Sequence, residues 1–151
     1  MQSTTALLAL AMLAASANGY AAPNCTVKLA GSDAMQFDLK TVTVSAACPT
    51  ISIVLTHAGK LPVNAMGHNV VVSATKDLSA IAAAGITAGA AAAYVPKADA
   101  RVIAATALIG GGGTTQVKFA GKRLTAGGDY SFFCTFPGHS TIMKGKLVVT
   151  K

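Results

Sequence analysis

A short stretch near the end of the chain, Cys134-Thr135-Phe136-Pro137-Gly138-His139-Ser140-Thr141-Ile142-Met143, offers a thiol, an imidazole and a thioether together. Soft sulfur donors with imidazole suit copper, and two imidazoles, one thiolate and a weak thioether form a favoured copper environment. The stretch supplies only one imidazole, so the second must come from His57 or His68. Three other chemistries compete. A Cys–His pair can act as nucleophile and base, but no orienting Asn or Asp accompanies it and Met143 would have no role. Zinc can take one Cys and two His, leaving a position for water; the thioether and the missing general base argue against it. An inert buried thiol is the plainest reading of Cys134.

The elements that must position these donors read as short strands. Cys25–Ala30, Met35–Leu39, Thr41–Ser45, Ile51–His57, Val70–Ser73, Thr115–Phe119, Tyr130–Cys134 and Lys144–Thr150 are strand-like by alternation or apolar content, and Arg101–Ile109 is extended. Gly31-Ser32-Asp33, Gly110 to Gly113 and Gly127-Gly128 mark turns. Asp77 can cap a helix over residues 77–87, rich in alanine and leaving at Gly85 or Gly89, with 88–96 undecided. Such spacing predicts an antiparallel β-sandwich with one inserted helix. His57 ends an inward-facing row and reads as a structural histidine; His68 opens a strand after the apolar loop Leu61–Gly67, a loop either buried or used as a contact surface.

The chain has 151 residues, enough for one domain. Met1 to Asn24 carries no charge, and all 12 Lys and Arg and all 5 Asp and Glu follow it. Its Ala/Leu run is too short for a membrane span and predicts an export leader over residues 1–21, cleaved after Ala21, with Ala15 and Ala17 offering an earlier site. Residues 22–151 then form one exported domain, and its cysteines become eligible for disulfides. Three cysteines, Cys25, Cys48 and Cys134, leave one thiol with another task. A Cys25–Cys48 bridge would close a short loop worth about 3 kcal/mol. The net charge of +7 is scattered, with no interleaved aromatics and no nucleic-acid motif.

From about Cys25 to Lys151 the chain resembles the cupredoxin family of blue-copper proteins. The resemblance rests on Leu61-Pro62, Asn64, Met66-Gly67-His68-Asn69, Arg101-Val-Ile-Ala, Leu108-Ile109-Gly110, Phe132-Phe-Cys-Thr-Phe-Pro-Gly-His-Ser140 and Met143-Lys144-Gly145. It implies an all-β, eight-stranded Greek-key β-sandwich with one inserted helical flap, and a Cys25–Cys48 disulfide. It further implies one copper held in plane by His68, Cys134 and His139, with Met143 as weak axial ligand and the Gly67 carbonyl opposite. Amide groups of Asn69 and Phe136 would tune the sulfur. The implied function is electron transfer in the periplasm rather than enzyme catalysis, with a c-type cytochrome or a periplasmic reductase as partner; copper buffering without a shuttle is the alternative. Electrons would pass the edge of His139, inside an apolar collar of Met35, Leu61, Ala65, Met66, Phe136, Pro137 and Gly138. Two positions depart from the family: Val70 stands where a buried tryptophan is common, and Ala105 where histidine is frequent.

Overall fold

Alternation writes the strands directly. In β1 (Thr26–Ser32), Val27 and Leu29 are buried while Thr26 and Lys28 are exposed, the period-two pattern of a sheet with one wet face. β4 (Ile51–His57) buries Ile51, Ile53, Leu55 and His57 on one face. The computed structural model describes residues 23–151, so the predicted leader at 1–21 lies outside the described residues.

Nine strand segments form two sheets. One has the order β2 (Gln36–Phe37), β1, β4, β7 (Thr114–Phe119); the other has β3 (Thr41–Ser45), β9 (Lys144–Thr150), β8 (Tyr130–Phe133), β5 (Val71–Ala74), β6 (Ala104–Ala105). β2 and β3 are two halves of one extended run that changes sheet across Asp38–Lys40. Counted as one, they bring the total to the eight strands implied by the family resemblance. A single core joins the inner faces, with Val27, Leu55, Phe37, Val70, Phe132 and Leu147 buried in it. Each such side chain contributes on the order of 1.5–3 kcal/mol on burial.

Two features correct the residue-level reading. The sandwich is not wholly antiparallel, because β1 pairs parallel with β4 and β3 parallel with β9. Alternation fixes which face is buried but says nothing of the direction of the neighbouring strand. The extended run Arg101–Ile109 contributes only Ala104–Ala105, paired with Val71 and Val72, plus an isolated bridge from Ile109 to His68.

The helix α1 spans Leu78–Ala88 and ends at Gly89, close to the expected 77–87. Asp77 occupies its N-cap position without a side-chain capping hydrogen bond. Leu78 and Ile81 pack with Val95 on Val71 and Phe133, a second apolar cluster on the outer face of the second sheet. The undecided residues become a 3-10 turn, Ala90–Ala92, followed by Ala93 and Tyr94 with left-handed φ of 57° and 54°. Cys25 and Cys48 form a disulfide, and Cys134 is the buried free thiol. Val70 is fully buried beside Phe132 in the core, so the smaller residue keeps an apolar role; Ala105 is half-buried in β6.

Candidate metal centre

β8 runs directly into Cys134, and β9 leaves directly after Met143. The intervening loop is pinned at its base, where the Cys134 N–H donates to the Met143 carbonyl at 3.0 Å. Inside it the His139 N–H donates to the Phe136 carbonyl (3.0 Å) and the Met143 N–H to the His139 carbonyl (2.8 Å). Gly138, at φ 82°, takes the left-handed turn that returns His139 toward the sulfur. The outcome is a Cys134 Sγ to His139 Nδ1 separation of 3.6 Å.

His68 lies just ahead of β5, the neighbour of β8 in the same sheet. Its backbone is tied to Ile109 in both directions at 2.9 Å. Its ring is aimed by a 2.9 Å hydrogen bond from Nε2 to the Ser32 carbonyl. Because a carbonyl only accepts, Nε2 carries the proton and Nδ1 presents a lone pair. That Nδ1 is buried and has no hydrogen-bond partner. An orphaned buried acceptor is costly unless something fills it. His68, Cys134 and His139 each bring one donor atom within 4.8 Å of the others, and all three residues are buried. The donor set is one thiolate and two imidazoles, which fits copper.

Met143 is fully buried, and its Cε meets the His68 ring over Gly31: a Cβ there would lie 3.0 Å from Met143 Cε and 2.7 Å from His68 Cδ2. Gly67 is equally confined, with Val63 O at 2.6 Å and the Phe136 ring at 2.9 Å from any added Cβ. Its carbonyl lies 3.8 Å from Cys134 Sγ. The donor atoms of His68, Cys134 and His139 therefore converge, with the Gly67 carbonyl beside the sulfur.

Electrostatics favour neutral imidazoles and a protonated thiol in the metal-free protein. Burial pushes the Cys134 thiol up to about 11, against the opposing pull of backbone hydrogen bonds from Asn69 and Phe136. Burial, then the neighbouring His68 and His57, push His139 down to about 4. Burial also lowers His68, partly offset by its bond to Ser32. A divalent ion reverses the thiol's preference by enforcing deprotonation.

The surrounding shell contains both expected and unexpected members. Asn69 donates from Nδ2 to the Thr135 hydroxyl (2.8 Å) and to the Ala93 carbonyl (2.9 Å), and accepts the Thr135 N–H at 2.9 Å. It thus fastens the residue after Cys134 to the helical flap. Ser32, Thr135 and Ala93 were not singled out in the sequence, because their contributions are backbone groups or a local hydroxyl with no type signature. His57 is structural as expected: Nδ1 accepts the Gly59 N–H (3.1 Å) and Nε2 donates to the Met66 carbonyl (2.9 Å). Asp33 was also missed. Its carboxylate accepts the Lys60 N–H (2.8 Å) and Leu61 N–H (3.3 Å), and the Lys60 bond first among these lowers its pKa.

Leu61, Ala65, Pro137 and Gly138 are exposed, and Met35, Met66 and Phe136 are half-exposed. His139 itself retains 3% exposure, with the Phe136 ring 4.7 Å away.

Known proteins give the same picture. A family model described as "Copper binding proteins, plastocyanin/azurin family" matches residues 23–150. An azurin of Alcaligenes faecalis is 51% identical over 123 residues, covering 82% of this chain and 96% of that protein. An azurin of Bordetella pertussis is 46% identical over 138 residues, covering 91% and 92%. An azurin structure from Methylomonas sp. strain J superposes with a TM-score of 0.80 at 35% identity, covering 84% of this chain and 98% of that one. With its thiolate and two imidazoles converging at the end of a two-sheet sandwich, the chain belongs to the plastocyanin/azurin family of copper-binding proteins.

Proposed function

We propose that the protein carries one electron at a time on a single copper, which His68, Cys134 and His139 would hold, with Met143 and the Gly67 carbonyl as weaker additional donors. The observation that carries this reading is the buried, partnerless Nδ1 of His68 facing a buried thiol and a second imidazole. Copper in such a donor set supplies a Cu(II)/Cu(I) couple, with soft sulfur favouring the reduced ion. The chain's own part is to hold the donors still. The Ser32 carbonyl fixes the tautomer and angle of His68, the Cys134–Met143 backbone bond closes the ligand loop, and Asn69 braces Thr135. A site braced in this way rearranges little when charge arrives. Amide groups of Asn69 and Phe136 directed at the sulfur tune its donor strength.

Electrons enter and leave at the His139 edge, within the collar of Met35, Leu61, Ala65, Met66, Phe136, Pro137 and Gly138. A small apolar patch excludes water without holding a partner long, which suits a shuttle meeting a c-type cytochrome or a reductase. Residues 1–21 act as an export leader and 22–151 as one domain working in the periplasm, with no catalytic role of its own. Among the described residues no helix is long and apolar enough to cross a membrane.

Titrating the metal-free protein with Cu(II) tests the reading. An intense visible thiolate-to-copper band that bleaches reversibly with one electron is expected, and Cys134→Ser removes it. A colourless, redox-silent complex would overturn the shuttle in favour of copper storage.

A further inference from the structure

The basic side chains of this chain are denser at one end of the sandwich than in the copper-end loops, although Lys144 follows Met143 directly. At the copper end, the loops Ser32–Met35, Ala58–Asn69, Thr106–Gly113 and Cys134–Met143 contain a single acid, Asp33, and a single base, Lys60. The opposite end is basic. Lys118 is the next-to-last residue of β7, and Lys122 and Arg123 occupy the 3-10 turn that follows. That turn sits against Ala46–Cys48: the Gly121 N–H donates to the Cys48 carbonyl, and a Cβ on Gly121 would lie 2.3 Å from that oxygen. The same corner holds Lys151, whose carbonyl accepts the Ser45 hydroxyl at 2.7 Å, next to the Ala46 N–H bond to Thr150. Lys118, Lys122, Arg123 and Lys151 are therefore gathered about one corner, and all four are exposed. Among the described residues the ion pairs are Arg101–Asp99 and the looser His57–Asp33, so no carboxylate lies within ion-pair distance of these four. The Arg123 guanidinium also donates to the Val102 and Ile103 carbonyls, and the acid at this end is Asp129, just before β8.

This pole also lacks an apolar anchor. The large exposed apolar side chains, Leu39, Leu61, Val63, Ile86 and Ile142, belong to other parts of the molecule. A specific protein partner needs a desolvated centre of aromatic or aliphatic anchors, from which lysine is depleted. An anionic lipid surface needs only unpaired cationic side chains within a Debye length. β4 crosses from this corner at Ile51 to the copper end at His57, a span of about 20 Å.

We infer that the pole formed by Lys118, Lys122, Arg123 and Lys151 is an electrostatic docking surface for anionic lipid headgroups, holding the protein on a membrane with its copper end facing away. The attraction is reversible: each Lys or Arg near such a surface strengthens partitioning by about fivefold. A carrier held this way keeps its uncharged collar free for redox partners while searching in two dimensions.

Co-sedimentation of the copper-loaded protein with vesicles tests this. On equimolar phosphatidylglycerol and phosphatidylcholine, binding is expected at ~20 mM salt and lost by ~500 mM, as screening requires, with none on phosphatidylcholine alone. The combined K118Q, K122Q and K151Q variant should bind about 100-fold more weakly, three steps of the per-residue factor. The combined K40Q, K144Q and K146Q variant makes the same change in net charge elsewhere and should lose less than about tenfold. The single variant K122Q, expected to lose about fivefold, serves if the triple variant folds poorly. Absence of vesicle binding at low salt, or equal losses in the two triple variants, would overturn the proposal. So would binding to soluble polyglutamate but not to vesicles, which would point to an acidic protein.

Discussion

The rings of His57 and His68 lie stacked, with centroids 4.3 Å apart and planes 12° from parallel. His57 is held at both nitrogens by backbone groups of the loop that carries the collar, the Gly59 N–H and the Met66 carbonyl. It is a wall against which the His68 ring is pressed from behind. Replacing His57 by Leu leaves those two buried backbone groups without partners, and the expected cost is about 2–4 kcal/mol from unmet hydrogen bonds. Urea unfolding of the metal-free protein checks it.

Copper uptake should release about one proton near neutral pH, because metal binding requires a deprotonated thiol and neutral imidazoles. Cys134 remains a thiol up to about 11 while His139 is already neutral above about 4. Calorimetry of Cu(II) binding in buffers of different ionisation enthalpy measures the count. Release of two or more protons would contradict the buried, neutral imidazoles.

The pH dependence of the metal-free fold has a definite sign on each side. His139 is depressed to about 4 from 6.5, so between those values the unfolded chain binds more protons and stability falls as pH falls. Cys134 is raised to about 11 from 9.0, so between those values the unfolded chain ionises first and stability falls as pH rises. A dome in melting temperature, flat between roughly pH 7 and pH 9, is the expected profile. Loading copper should steepen its acid side, because the copper-bound fold holds no proton on Cys134 or His139 whereas the unfolded, metal-free chain takes them up.

Breaking the Cys25–Cys48 disulfide, which spans 23 residues, should cost about 3 kcal/mol through the entropy of the unfolded chain. The paired Cys25→Ser, Cys48→Ser variant should keep its visible copper band, since the bridge lies at the end away from the ligands.

Met66→Lys should slow electron self-exchange by placing like charges across the contact between two collars. The unaltered protein should show little salt dependence in the same measurement, because the copper-end loops carry only Asp33 and Lys60. A steep dependence on ionic strength would instead assign the encounter to the lysines.

Some of this architecture could be read from residues alone. Cys134, His139 and Met143 stand out because their donor chemistry is specific and their spacing local. His68 does not, since a single histidine at a strand entrance has no distinguishing pattern; it emerged only through the family strings around it. The helix ended where Gly89 allowed, but the left-handed pair Ala93 and Tyr94 had no signal in an alanine-rich run. Their conformation is tied to tertiary contacts, the Asn69 bond to the Ala93 carbonyl and the edge of Tyr94 against Phe136 at 5.4 Å. Parallel pairing of β1 with β4 was hidden for a different reason: strand direction depends on how connections cross the sandwich, and side-chain alternation is the same either way.

The last strand, β9, lies inside its sheet rather than at the edge, between β3 and β8. Among the described residues it and the adjoining Lys151 carry bonds that span 106 residues, from Thr150 to Val44 and from Ser45 to Lys151. Until β9 is available, β3 has no neighbour in its sheet. Emergence of a newly made chain is therefore followed by folding, not accompanied by it. The sheet that contains β3 and β9 closes after all four strands of the β2-β1-β4-β7 sheet have been made.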